Sequence, residues 1–343
     1  MFLKRALILH PNNDYNCGDQ ITFLGSKSLL TQALNGAQNL DVVQFDIVRA
    51  IREIDTYVSQ YDWGHIDIVV LAGSPWLWDA CERSTKYKLI FDALDRYPNA
   101  KKIGLGLGSC FSKKCYNNIL YEGASKYFLN CSTPQKKLRD LYSKFDYLLA
   151  RDQFAKYIFD SLNVTSQYTY DTSVYAYNFV GKKINTGQKK VLFFYDPSKG
   201  ISQDHLDCDT VDYVTYQLNW AKENNADVYV SNTADKDTLN RLGVQCSFSV
   251  DLNFLSHKFV EYNEMLSGRI HMAVLGFLSG ISKITVLPVD SRFMTILKLG
   301  INIKWLGEPW KYSHEVVERP RIWKNIRNSE SIIVSDLRRV LSE

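Results

Sequence analysis

An arginine and a histidine two positions apart open a strongly apolar segment, Ser267-Gly268-Arg269-Ile270-His271. Apolar residues then recur at helical spacing and predict a helix with a buried face: Ile270, Ala273, Val274, Phe277, Leu278 and Ile281. A helix N-terminus offers N–H groups and a partial positive charge to an anion. Arg269, with Ser267 and Gly268 in the turn, therefore predicts an anion site. His271 predicts a proton donor beside it, because histidine titrates near neutral pH.

Three charged residues at other predicted strand-to-helix turns could complete this site. Asp19 follows the first predicted strand, and it is either an ordinary helix cap or a carboxylate at the mouth of a cleft. Arg151 ends a later predicted strand, where it is either part of a structural salt bridge or a cation for the same anion. Arg292 stands in the turn Asp290-Ser291-Arg292, shortly after the apolar helix, and we expect it beside Arg269.

Aromatic and polar residues near the same strand ends are candidates for binding a second substrate. Trp76 and Trp78 lie in a turn-like stretch, where they either pack in the core or offer flat faces to a sugar ring or a base. Asn16 and His10 follow or end the first predicted strand and could face the same cleft. Alternating glycines at Gly104-Leu105-Gly106-Leu107-Gly108 let a backbone or a ligand approach closely.

Strands alternate with helices along the whole chain, which predicts parallel sheets covered by helices. Strands are expected at Arg5–His10, Asp41–Phe45, Ile66–Leu71, Lys101–Leu107, Tyr147–Ala150, Val191–Tyr195, Asp227–Val230 and Ile284–Leu287. A polar, glycine-bearing stretch near 181–190 suggests a boundary between a first domain, 1–182, and a second, 189–330. The tail, 331–343, is expected to form a helix that crosses back to the first domain. We predict an α/β protein with two doubly wound, Rossmann-like domains facing a cleft, the GT-B architecture.

Composition narrows the function further. The chain has 343 residues with a net charge of +4, which does not indicate nucleic acid but suits small anions or weak peripheral contact with an anionic membrane face. Neither a G-x-G-x-x-G nor a P-loop motif is present, so we expect no dinucleotide cofactor. Seven cysteines without a C-x-x-C pair predict reduced thiols, a cytoplasmic protein and no metal site. No run of about 18 apolar residues predicts a transmembrane helix.

The order of these motifs resembles the polysaccharide pyruvyl transferases. The matching pieces are Asn16-Cys17-Gly18-Asp19, Leu71-Ala72-Gly73-Ser74, Ala150-Arg151-Asp152, Tyr170-Asp171-Thr172-Ser173, Ser267-Gly268-Arg269-Ile270-His271 and Asp290-Ser291-Arg292. The likeness spans about Leu7 to Leu299. It departs from the family pattern at Ser74, where a second glycine is expected, and at Arg292, where a lysine is expected.

The resemblance implies transfer of an enolpyruvyl unit from phosphoenolpyruvate, as co-substrate, to two hydroxyls of a sugar, which gives a cyclic pyruvate ketal. The acceptor is then a sugar that is nucleotide-linked, lipid-linked or polymeric. Arg151, Arg269 and Arg292 would clamp the donor, His271 would be the general acid and Asp19 the base. Two alternatives stay open: a sialyltransferase-like or nucleotide-sugar-dependent GT-B glycosyltransferase, and a glycan-binding relative without catalysis.

Overall fold

A computed structural model of the chain describes residues 3–10, 17–46, 63–78, 90, 92–111, 135–180, 187–199, 209–307, 309–310 and 318–343. Within these ranges the strands form two sheets of six, and neighbouring strands are parallel throughout. Such sheets are buried on both faces because the crossover helices cover them. The structure thus confirms the α/β class with two doubly wound, Rossmann-like sheets.

The first sheet has the strand order β2-β1-β3-β4-β5-β6. Its members are β1 (Lys4–His10), β2 (Leu40–Asp46), β3 (Ile68–Trp78), β4 (Lys101–Cys110), β5 (Tyr147–Ala150) and β6 (Gln167–Tyr168). The sequence predicts β5 with its observed bounds. β3 and β4 run further than expected, because the stretches around Trp76 and Gly106 continue the strands instead of forming loops.

The second sheet has the order β12-β11-β10-β7-β8-β9. Its members are β7 (Lys189–Phe193), β8 (Asp227–Val230), β9 (Ser247–Phe248), β10 (Tyr262–Ser267), β11 (Lys283–Val286) and β12 (Asn302–Ile303). Counted within this sheet, the order is 6-5-4-1-2-3, the arrangement of dinucleotide-binding folds. Its direction reverses between β7 and β10, the point at which ligands bind in open α/β sheets.

The described α-helices are α1 (Cys17–Ala33), α2 (Gln135–Tyr142), α3 (Gln153–Ser161), α4 (Tyr177–Val180), α5 (Thr210–Glu223), α6 (Thr233–Arg241), α7 (Leu252–Lys258), α8 (Ile270–Leu278) and α9 (Arg319–Ser342). Asparagine or aspartate side chains cap α3, α5, α6 and α7. The alternation along the sequence also predicts helices over 54–61 and 117–128, which lie outside the described residues.

The last helix is longer than the sequence predicts, since α9 begins at Arg319 rather than Ser331. It packs against α1, which connects β1 and β2 of the first sheet. Glu330 accepts hydrogen bonds from Gln32 at 2.7 Å and from Tyr177 at 2.5 Å. At its other end, Arg319 donates to the carbonyls of Ile281 and Phe277, at 2.6 and 2.7 Å, where α8 finishes.

The carboxyl end of β4 is bonded directly to the segment that follows β11. The Ser109 and Ser291 hydroxyls are 3.1 Å apart, and the backbone N–H of Phe111 donates to Ser291 Oγ at 2.9 Å. The backbone N–H of Ser291 donates in return to the carbonyl of Phe111 at 3.0 Å. The two sheets therefore meet through their carboxyl ends, where parallel sheets carry their ligand-binding turns.

Candidate functional site

The Ser267–His271 segment lies at the reversal point of the second sheet. It follows β10 and leads into α8, and β10 pairs with β7. The backbone N–H groups of Ile270, His271 and Met272 make no hydrogen bond with any described residue. They are the unpaired donors of the helix N-terminus, at the location where the fold places a ligand.

Ser267 and Gly268 build this turn. The Ser267 hydroxyl donates to the carbonyl of Arg269 at 2.7 Å and accepts from its N–H at 3.1 Å. Gly268 donates its N–H to Phe193, and a Cβ on Gly268 would lie 2.6 Å from the Cβ of Tyr195. Both residues were predicted to bind the donor. In the structure the Ser267 hydroxyl and the Gly268 N–H are engaged in the turn and Gly268 is required for close packing, while donor binding by the two residues stays a prediction.

Arg269 is held from two sides. Its Nε and Nη2 donate to Asp235 Oδ2, at 3.0 and 2.6 Å, and its guanidinium lies 4.4 Å from the ring centroid of Tyr195. Nη1 makes no hydrogen bond with the described residues, and the side chain is 21% exposed. Because buried Asp235 balances its charge, Arg269 offers a ligand one oriented N–H edge rather than an unpaired cation.

His271 points from the second domain toward the first. Its Nε2 is buried and lies 3.5 Å from Oδ2 of Asp171. That separation is the length of a loose ion pair, and it reaches hydrogen-bond length with a shift of a few tenths of an ångström. The histidine predicted as an acid therefore stands at the domain interface, beside a carboxylate from the opposite sheet.

Arg151 does not reach into the cleft. Its side chain is 1% exposed, and Nη1 donates to Asp171 Oδ2 at 2.8 Å. Burial opposes the charge of Asp171, yet Arg151 and then His271 hold the pKa of this carboxyl well below its usual range. Arg151 therefore pairs with the carboxylate that faces His271, and its binding of the donor stays a prediction.

Glycines form the seat of this carboxylate. The turn Asp171-Thr172-Ser173 lies against α1, β3 and β4, and a Cβ on Gly25 would lie 1.7 Å from the Thr172 carbonyl oxygen. A Cβ on Gly73 would lie 2.6 Å from Thr172 Oγ1, and one on Gly108 would lie 2.0 Å from Arg151 Nε. The sequence left open whether a backbone or a ligand approaches these glycines. In the structure, other parts of the protein itself lie against them.

Arg292 closes on its neighbour. Its Nε and Nη2 donate to the two oxygens of Asp290, at 2.8 and 2.6 Å. Burial opposes its charge, but Asp290 raises the pKa of the Arg292 guanidinium above its usual range. As with Arg269, an aspartate balances the charge of Arg292, whose side chain is 26% exposed; donor binding by Arg292 stays a prediction.

Asp19 lies at the end of α1 that touches the second domain. Helix α1 begins at Cys17, so Asp19 occupies its first turn and is not the cap. Cys17 is buried, and its thiol lies 3.7 Å from the carbonyl of Ser249 in the second domain. Burial raises the pKa of Cys17 to about 12, which keeps the thiol protonated. The carboxylate of Asp19 is half-buried near this contact.

The predicted acceptor residues are largely not brought to the site. Trp76 is fully buried in the first domain's core, and its indole N–H donates to the Ala72 carbonyl at 3.0 Å, so it offers no face to a sugar. His10 is buried and stacks on Phe23, with ring centroids 4.6 Å apart. Trp78 ends β3, and Asn16 lies outside the described residues.

One cation at the domain interface has no sequence signal. Lys298 follows β11 of the second sheet, and its Nζ lies 3.3 Å from the ring centroid of Tyr168 and 5.5 Å from that of Tyr170, two residues of the first domain. Burial lowers the pKa of Lys298 to about 8. The surrounding sequence, Leu297-Lys298-Leu299, carries no motif, so only the fold reveals this residue.

Comparisons with known proteins agree with the fold. No protein-family model and no curated protein matches the chain. The S. aureus MnaA–UDP co-structure is similar over 100% of this chain and 91% of its own, at TM-score 0.51 and 11% identity. A weaker likeness is to Methanocaldococcus jannaschii UDP-GlcNAc 2-epimerase with UDP-GlcNAc and UDP, at TM-score 0.47 and 11% identity over 96% of this chain and 100% of its own. Another is to E. coli heptosyltransferase WaaC with ADP, at TM-score 0.44 and 11% identity over 95% of this chain and 98% of its own. The chain therefore has the GT-B fold.

In the part of the chain that the structure describes, no helix is both long and apolar enough to cross a membrane.

Proposed function

We propose that this GT-B protein is a transferase that moves a pyruvyl group from phosphoenolpyruvate to two hydroxyls of a sugar in a glycan or glycan precursor. The observation that carries the proposal is the position of His271. It stands at the N-terminus of α8, at the reversal point of the second sheet, and faces Asp171 of the first domain. A proton donor beside unpaired helix N–H groups suits a substrate that carries both an anion and a basic carbon.

In the reaction, a sugar hydroxyl attacks C2 of phosphoenolpyruvate while His271 protonates the methylene carbon, which becomes a methyl group. The second hydroxyl then adds to the same carbon while the bond from that carbon to the phosphate oxygen breaks, and its proton leaves with the phosphate, so that the products are the ketal and inorganic phosphate. Asp19 would accept the hydroxyl proton from the α1 side of the interface. The N–H groups that open α8 and the Nη1 edge of Arg269 would bind the phosphate.

The charge balance of the site shapes this proposal. Arg151, Arg269 and Arg292 each pair with an aspartate, so among the described residues they do not form a clamp of three unpaired cations. A donor anion would be held by directed hydrogen bonds more than by net charge. Binding of the anion should then depend less on ionic strength than binding to a cluster of unpaired cations would.

The test is phosphate release from phosphoenolpyruvate with a galactoside or N-acetylmannosamine as acceptor. We expect H271N to lower kcat by about 100-fold or more, the usual contribution of a general acid. The control is H257N, because His257 is exposed on α7 and its Nδ1 lies 2.7 Å from the Asn253 carbonyl of the same helix. Equal activity of H271N and wild type would contradict the assignment.

A second candidate is a nucleotide-sugar-dependent transferase. It is favoured by the likeness to a structure that contains UDP and by the dinucleotide-fold strand order of the second sheet. The same protein is therefore titrated with UDP, ADP and phosphoenolpyruvate by calorimetry. Binding of a nucleotide without binding or turnover of phosphoenolpyruvate would reject the pyruvyl proposal and support this one.

A further inference from the structure

The ion pair behind His271 calls for an explanation beyond stability. Arg151 and Asp171 are 1% and 0% exposed, and a buried pair of charges is often no more stabilising than apolar residues of the same volume. Asp171 nevertheless uses both oxygens: Oδ1 accepts from the N–H of Ser173 at 2.8 Å, and Oδ2 accepts from Arg151. The same Oδ2 faces the imidazole of His271.

The two nitrogens of His271 have different surroundings. Nε2 is buried against the carboxylate of Asp171. Nδ1 is not among the buried polar atoms and makes no hydrogen bond with the described residues, so it is the nitrogen that a ligand can reach. In a neutral imidazole only one nitrogen carries the proton. The groups that contact the two nitrogens decide which one it is.

We propose that Asp171, kept ionised by Arg151, fixes the His271 tautomer with its proton on Nε2 and leaves Nδ1 as the atom that exchanges a proton with the substrate. Asp171 and Arg151 are positioning residues, since neither needs to touch the substrate. The role of Nδ1 rests on the proposed function, whereas the tautomer does not. In that reaction imidazolium gives its Nδ1 proton to the methylene carbon and becomes the neutral Nε2–H form.

The protein holds this carboxylate rigidly. Thr172 is wedged between Gly25, Gly73 and Gly106, where added Cβ atoms would lie 1.7, 2.6 and 2.8 Å from its atoms. Asp171 belongs to the first domain and His271 to the second. The carboxylate and the imidazole that it faces therefore come from opposite sheets of the molecule.

The test is a ¹H–¹⁵N spectrum of the histidine rings in the whole wild-type protein at about pH 8.5, above the ordinary titration of histidine. The H271Q variant identifies the His271 signals by their disappearance. We expect an Nε2–H proton signal that survives solvent exchange, because that hydrogen faces a buried carboxylate. An Nδ1–H tautomer in the wild type would overturn the proposal.

D171N is the informative variant, and D152N is its matched control. Asp152 is equally buried and adjoins Arg151, but it caps α3 and bonds to Ser109 instead of facing His271. We expect D171N to abolish or shift the Nε2–H signal and D152N to retain it. An unchanged signal in D171N would refute the positioning role.

Kinetics separate this inference from the proposed function. If phosphoenolpyruvate is turned over, D171N lowers kcat by about 100-fold with little change in KM, because it removes an interaction that matters only in proton transfer. A rise in KM with kcat unchanged would overturn the positioning role. If no phosphoenolpyruvate is turned over, the proposed function fails, while the spectrum still decides the tautomer.

Discussion

Removing the Arg151 guanidinium should leave a buried carboxylate without its main partner, and R151M tests this. Breaking a buried ion pair by removing one member costs about 3–5 kcal/mol of the free energy of unfolding. A limit follows from protonation, because Asp171 can instead take up a proton. An unfolded aspartate titrates near 3.9 and each pKa unit corresponds to about 1.36 kcal/mol, so protonation requires about 4 kcal/mol at pH 7 and about 1.5 kcal/mol at pH 5.

The pH dependence has a definite sign. In the wild type the pKa of Asp171 lies below its unfolded value, so its stabilising contribution is present from pH 5 to 7 and is lost only in strong acid. In R151M burial dominates and the carboxyl favours its protonated form. The destabilisation therefore grows as the pH rises from 5 to 7. His271 is the other basic group that faces Asp171, with Nε2 3.5 Å from Oδ2.

The assay is urea unfolding of wild type and R151M at pH 5 and pH 7. The control R339M breaks an exposed pair, Arg339 with Asp336 at 3.6 Å, and should change stability by less than about 0.5 kcal/mol. The double variant R151M/D171N should recover stability at pH 7, since no charge is left buried. A loss below about 1 kcal/mol in R151M, or an equal loss at both pH values, would refute the reasoning.

Two further predictions concern packing and titration away from His271. G25A should destabilise the protein by about 3 kcal/mol, because its Cβ would overlap the rigid Thr172 carbonyl. The control is G276A, where the nearest atom, Met265 Sδ at 2.9 Å, can move. A comparable loss of unfolding free energy in G276A would contradict this account. The free energy of unfolding of K298M should fall relative to that of the wild type as the pH rises from 8 to about 10. The reason is that the unfolded chain keeps the lysine proton up to about 10.4, while the folded chain releases it near 8. Parallel curves of stability against pH would contradict the burial of Lys298.

Sequence periodicity predicted eight of the twelve strands in the described residues, because each of these is an apolar run of its own, and it missed β10 and the two-residue strands β6, β9 and β12. The β5 segment Tyr147–Ala150 is an example with its observed bounds. The sequence also placed Arg269 and His271 at the start of α8, because the turn before an apolar helix is a local pattern. It could not show where the arginines point. Their aspartate partners lie at separations from two residues, for Arg292 and Asp290, to 34, for Arg269 and Asp235.

Trp76 is a second residue whose orientation could not be read from the sequence. A tryptophan in a stretch with a glycine and a proline is typical of a loop, but β3 continues through it and the indole enters the core. The glycines of β4 were equally ambiguous, since a close approach can serve a ligand or the chain itself. Only the fold reveals that Thr172 and Arg151 fill the space beside Gly106 and Gly108.

The grip of Arg319 on the end of α8 makes that helix a rigid link between two distant parts of the molecule. Helix α8 has nine residues and is therefore about 13 Å long. Arg319, the first residue of α9, binds the carbonyls of Phe277 near the end of α8 and of Ile281 just beyond it, and the first turn of α8 carries His271. The N-terminus of α9 and the imidazole are thus attached to opposite ends of one short helix, which fixes the distance between them.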